Sequence, residues 1–243
     1  MCFLSRHHFL GRKNQAVCLF EEGQRLYEQG RYSGAAKHWG QAALLQHGAS
    51  HAFLSSMLID GRPDVTVDEK RAFELAAAGA AMGCAHSKGV LARCHVLSFP
   101  DAENAAKGFL LGSESAAAGS CFGQAALGFC YFESYGVAQD DAEALRFLGL
   151  SAAQGNAFAQ YFLGDMFDMG IDVAKDDAEA ERLWRLAASQ GHAGAQYSLG
   201  RKFDRGLGVA KDRVEALRFY RLAAAQGHST ATACLKEPSD RKP

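Results

Sequence analysis

The chain has 243 residues, 48% hydrophobic and 22% charged, with 26 Lys/Arg against 27 Asp/Glu and only 4 prolines. A net charge of −1 supplies no global field to hold a phosphate backbone, so no nucleic-acid partner is expected. The alanine-rich, proline-poor composition predicts helix throughout.

The start, MCFLSRHHFLGRK, lacks an uninterrupted apolar core ahead of a cleavage site, so no secretory signal is expected, and residues 1–13 are expected to be a flexible extension. A cytoplasmic protein is expected, or an effector secreted by a signal not readable here. Residues 14–47 fit a helical hairpin packed by Tyr27, Gly30, Tyr32, Ala35 and Trp39.

Beyond it a ruler emerges. Gly119, Gly155, Gly191 and Gly227 recur every 36 residues, closing the phrases SAAAG, SAAQG, AASQG and AAAQG. Counting back reaches Gly83 and, one residue off register, Gly48. A fixed period of this size signals a solenoid of one supersecondary unit. Residues 48–82 are one residue short and carry GRPDVTVDEK in place of a glycine turn, and residues 83–118 carry SFPD there.

The units 119–154, 155–190 and 191–228 are regular. In the last, helix A carries Ala195, Leu199 and Phe203 on one stripe, and Gly200 permits close helix approach. Gly206 stands where a left-handed helix end is expected, and Asp212 offers an N-cap to helix B. Helix B buries Ala216, Phe219 or Tyr220, Ala223 and Ala224. Residues 229–243 are expected to be a polar tail.

The phrase Y-x-L-G-x-x-[FY]-x-x-G-x-G-V-x-x-D-x-x-x-A-x-x-[WY]-x-x-x-A-A-x-Q-G resembles the Sel1-like repeat, a relative of the tetratricopeptide repeat, strongly over 119–227 and weakly over 48–118. The resemblance implies an all-α, right-handed superhelix of about six antiparallel helix pairs over 14–228, with helix A on the concave side. It also implies a non-enzymatic adaptor or scaffold that holds a protein or peptide in its groove. Some bacterial members act as immunity proteins, so an inhibitor of one toxin is the alternative. A cysteine-rich subgroup is linked to penicillin binding, the weaker alternative. The one S-x-x-K, residues 239–242, lies in the polar tail and is read as chance.

No phosphate loop, HExxH or nucleophile elbow occurs, and neither cofactor nor metal is expected. Seven cysteines without repeated pairing read as reduced thiols. Cys84, His86, Cys94 and His95 form the densest ligand cluster, but Cys84 and Cys94 lie too far apart along one helix to share a tetrahedral ion. The uncharged residues 115–132 span a repeat boundary, and no membrane span is expected.

The free face of helix A falls 3, 6, 10 and 13 places after each repeat glycine. It presents Arg93, then Phe122, Phe129 and Phe132, then Phe158, Tyr161, Asp165 and Asp168, then Tyr197, Arg201 and Asp204. Charges at positions equivalent to Phe129 and Phe132 imply exposure, so these eleven residues form the expected partner-binding groove. Changing Phe129 and Phe132 to serine is expected to abolish binding without loss of stability. Residues 101–180 hold 13 Asp/Glu against 3 Lys/Arg, so the partner is expected to present a basic patch.

Overall fold

The computed structural model describes residues 3–98 and 101–236, with side chains from residue 11 onward. Thirteen helices occur among them: α1 Phe3–Glu28, α2 Tyr32–Leu44, α3 Gly48–Asp60, α4 Glu69–Ala81, α5 Ala85–Ser98, α6 Ala102–Ala117, α7 Cys121–Glu133, α8 Asp141–Ala153, α9 Ala157–Met169, α10 Asp177–Ser189, α11 Ala193–Arg205, α12 Arg213–Ala224 and α13 Ser229–Lys236. Between α3 and α4 lies an isolated bridge, Arg62 to Val65.

Each pair is started and stopped by local chemistry. Ser120, Asn156 and His192 cap α7, α9 and α11, while Asp140, Asp176 and Asp212 cap α8, α10 and α12. Every one accepts a backbone N–H otherwise orphaned in the first turn. The period glycines have φ between 76° and 85°, the left-handed conformation that sends the chain from one pair into the next.

Within four of the pairs, contact is set by an absent side chain. A Cβ on Gly128, Gly164 or Gly200 would lie 2.8, 2.8 or 2.6 Å from Leu148, Trp184 or Tyr220. Each bulky side chain of the second helix thus rests on bare backbone of the first. Gly23 and Trp39 repeat the arrangement in the first hairpin.

Between pairs, α3 packs on α5 and α5 on α7, whereas the second helices pack chiefly against their sequence neighbours. The first helices therefore form the inner layer of a superhelix, tightest from α3 to α7 and looser beyond. Polar rungs brace each unit internally, from the end of its second helix to the start of its first. Gln154, Gln190 and Gln226 donate to Gln124, Gln160 and Gln196 at 2.6, 2.9 and 2.8 Å. The Ser115 and Ser151 hydroxyls donate to the carbonyls of Ala85 and Cys121 at 2.6 and 2.7 Å.

The superhelix is tight enough to touch itself. The Tyr32 hydroxyl donates to the Ser189 carbonyl at 3.4 Å, across 157 residues. Arg62 and Pro63 close over Gly191, whose Cβ position lies 3.0 and 3.2 Å from their Cδ atoms.

Both ends differ from expectation. Residues 3–13 continue α1 rather than forming a separate extension, and residues 229–236 form α13 rather than a tail. Ala231 is fully buried against Ala216, Tyr220 and Ala223, so this short helix covers the last pair. The S-x-x-K at residues 239–242 lies outside the described residues, as do 99 and 100 of the SFPD stretch.

Substituting Gly164→Ala drives a methyl into Trp184 and should destabilise by about 1–3 kcal/mol in urea unfolding. Gly149→Ala, with nothing within 4 Å of the new atom, should instead be neutral or stabilising.

Candidate functional site

The eleven expected groove residues divide into two groups. Phe122, Phe129, Phe158 and Arg93 are buried, at 8, 6, 6 and 2% exposure, which corrects the expectation that they face solvent. Phe122 meets Phe53 edge-on at 5.2 Å. Phe129 packs between Phe158 and Phe162 at 5.4 and 4.9 Å. The reason is curvature: where the inner layer is tight, position 3 or 10 of a helix faces another helix rather than a groove.

Arg93 belongs to a charge cluster at the centre of the superhelix. Its guanidinium pairs with Asp60 at 2.9 Å, donates to Ser56 at 3.3 Å and lies 4.8 Å over the Phe158 ring. Arg62 pairs with the same carboxylate at 3.4 Å and donates to the Tyr27 hydroxyl. Burial opposes ionisation of Asp60, but Arg93 and Arg62 outweigh it and hold the carboxyl below its usual range. A cavity of about 110 Å³ adjoins the cluster, walled by Tyr27, Trp39, Phe53, Phe122 and Phe158.

The second group lies where the inner layer opens. Phe132 is half-buried, 6.1 Å from Phe162. Arg201 on α11 bridges to Asp168 on α9 at 3.3 Å, with side chains 33 and 20% exposed. Asp204 takes Arg213 at 2.6 Å and the Tyr220 hydroxyl at 3.4 Å. Tyr161 and Tyr197 stack on His192 and His228 at 4.8 and 4.7 Å.

Asp165 is less open than its charge suggests. Burial pushes its pKa up to about 6, although Tyr161 and the Trp184 indole, at 3.0 Å, both hydrogen-bond to it. Charge at a repeat position is therefore no marker of solvent in this fold.

The ligand-like residues near position 86 have other partners. His86 bonds the Ser120 hydroxyl at 2.8 Å and His95 bonds Asn104 at 2.7 Å. Burial raises the Cys94 and Cys130 thiols to about 11 and about 12, which makes them poor nucleophiles. Among the described residues no three His, Cys, Asp or Glu gather as a metal site, and no helix is long and apolar enough to cross a membrane.

Two features escaped the sequence reading. The Gln124–Gln160–Gln196 series carried a readable signal, since it recurs at 36. Asp60 and Arg62 carried none, because they sit at the end of α3 and in the irregular turn after it.

The geometry of capped helix pairs, glycine contacts and rungs within each unit matches one family. The Sel1 repeat model matches residues 48–84, 122–156, 157–192 and 193–228, more than half of the chain. The chain belongs to the Sel1 repeat family. Its α5–α6 pair folds as a unit although its sequence falls outside the matched stretches.

Among solved structures, this Sel1 repeat protein is similar to one from Oxalobacter formigenes, at 24% identity and TM-score 0.56 over 87% of this chain and 86% of that one. It is also similar to the protective antigen c5321 of uropathogenic Escherichia coli, at 24% identity and TM-score 0.51. There it covers 90% of its own length but only 56% of the other chain. The immunity protein Pa5087 of Pseudomonas aeruginosa aligns at 18% identity and TM-score 0.52, over 88% of this chain and 83% of that one. At these identities the likeness shows the fold alone. No curated protein matches this Sel1 repeat sequence.

Two outcomes follow from the site geometry. Phe129→Ser should cost about 3–5 kcal/mol in urea unfolding, because the ring is core, whereas Phe132→Ser should fall well short of that.

His192 accepts the Ala195 N–H at 3.3 Å through Nδ1, and burial lowers its pKa to about 4 despite the opposing pull of Asp60. The unfolded imidazole titrates near 6.5, so the unfolded chain binds the extra proton first as pH falls. Stability held above pH 6.5 should drop toward pH 4, by on the order of 3 kcal/mol from this group. Asp165, raised to about 6, acts in the opposite sense over part of that window. His192→Asn, with the cap that Asn156 provides one unit earlier, should flatten the slope of Tm against pH.

Proposed function

We propose that this chain is a protein-binding module rather than an enzyme, and that it holds its partner along the inner face of α9 and α11. A Sel1 repeat chain supports a protein-interaction role, and one observation carries the choice of face. Beyond α7 the inner layer stops packing closely on itself, and apart from the buried Phe158 the groove residues on α9 and α11 remain half-open, as does Phe132 at the end of α7, while Phe122 and Phe129 are core. Phe132, Tyr161 and Tyr197 supply apolar area, with Asp168, Arg201 and Asp204 as orienting charges at the rim. Such a mixed surface resembles the usual interface pattern of aromatic anchors ringed by polar groups.

The acid-rich stretch 101–180 favours a partner with a basic patch, which would steer association and weaken with salt. A dedicated inhibitor is the second reading, motivated by the likeness in fold to the immunity protein Pa5087. Nanomolar binding to one toxin would separate it from a scaffold with several moderate partners.

The test is affinity capture from the source cell with the wild type and with the charge-swapped variant Asp168→Lys/Arg201→Glu. The swap keeps the ion pair, so Tm should change little, while capture of a specific protein should fall at least tenfold. Equal capture by both proteins would remove this face from consideration.

A further inference from the structure

Two histidines occupy the same place in successive units. His192 and His228 each accept a helix N-terminal N–H through Nδ1, from Ala195 and Ala231 at 3.3 Å, and each stacks on a tyrosine. They differ in what lies over them. Above His192 the chain closes on itself: Arg62 and Pro63 cover Gly191, Tyr32 reaches Ser189, and Asp60, Arg62 and Arg93 all act on the imidazole. His228 is only half-buried, with none of these groups acting on it. The repeat thus contains its own control for the effect of closure.

We propose that the contact between the 61–68 loop and residues 189–192 is an acid-released latch, which protonation of His192 opens to free the inner groove. An imidazolium there joins Arg62 and Arg93 against the single carboxylate of Asp60, on a residue that is only 9% exposed. Its Nδ1 also loses the lone pair that accepts from Ala195. Separation of the N-terminal helices from the 189–192 junction lets water reach the new charge, whereas loss of the cap alone would leave it enclosed.

The groups facing His192 are Asp60 on α3, Arg62 in the loop, Arg93 on α5, Tyr161 on α9 and His228 before α13. Asp60 is held ionised by its arginines, and Asp165 beyond Tyr161 takes up a proton in the closed state. Of these groups, His192 is the one whose protonation directly opposes closure. The proposal rests on the preceding section only for the use made of the groove, since its test needs no partner.

Small-angle scattering, hydrogen exchange and far-ultraviolet dichroism of the full chain, from pH 7.5 to 4.5, provide that test. In the wild type the radius of gyration should rise as pH falls. Protection of the Arg62, Val65, Gly191 and His192 amides should drop at least tenfold while helicity persists. His192→Asn should stay closed to at least one pH unit lower, and His228→Asn should open with the wild type. An unchanged radius in the wild type, expansion accompanied by loss of helicity, or opening of His192→Asn at the wild-type pH would each overturn the latch.

Discussion

A missing Cβ on the first helix governs the packing of four of the pairs. Gly128, Gly164 and Gly200 let Leu148, Trp184 and Tyr220 rest directly on backbone, which brings the paired axes close and fixes how each pair leans. Units stacked at a 36-residue period build a curved stack. Curvature then decides which inner positions become core. The same register position is a buried Phe129 in one unit, a carboxylate enclosed by Tyr161 and Trp184 in the next, and a half-exposed Arg201 in the last.

Curvature also makes the first two pairs neighbours of the fifth. At that meeting point the chain buries two guanidiniums and one carboxylate, an arrangement that contributes little net stability unless its geometry is satisfied. The Ser56, Tyr27 and Phe158 contacts supply most of that satisfaction, with Nε of Arg93 left without a hydrogen-bond partner among the described residues. An apolar contact could slide along the stack. Directional bonds to Asp60 allow one registration of the two ends, so the cluster acts on specificity of closure more than on its strength.

Much of the fold was legible because it is local and periodic. The 36-residue glycines, the caps at Asp212 and its equivalents, the end at Gly206 and the close contact at Gly200 all follow from single-unit chemistry. The candidate site was less legible, because burial on the inner face depends on accumulated rotation over several units. Periodicity put Phe122, Phe129 and Phe158 on the face opposite the stripe that packs within the pair. It could not say that another helix stands against that face. Residues 3–13 and 229–236 were misjudged for a related reason: they lie outside the period, and Ala231 is held by tertiary packing rather than by any signal in its own stretch.

The glutamine rungs carry a consequence for how such a chain can grow. Each rung joins two residues 30 apart within one unit, and Gln160 and Gln196 also donate to the Ala152 and Ala188 carbonyls of the preceding unit, so a duplicated unit would bring both its brace and its tie to its predecessor. Closure at Gly191 breaks that freedom. A unit inserted between α4 and α10 would carry residues 189–192 past the 61–68 loop, and the two could no longer meet. One added after α12 would leave the meeting point untouched. The chain is therefore extensible at its C-terminal end and of fixed length before it, a solenoid whose first five units are counted by a single contact.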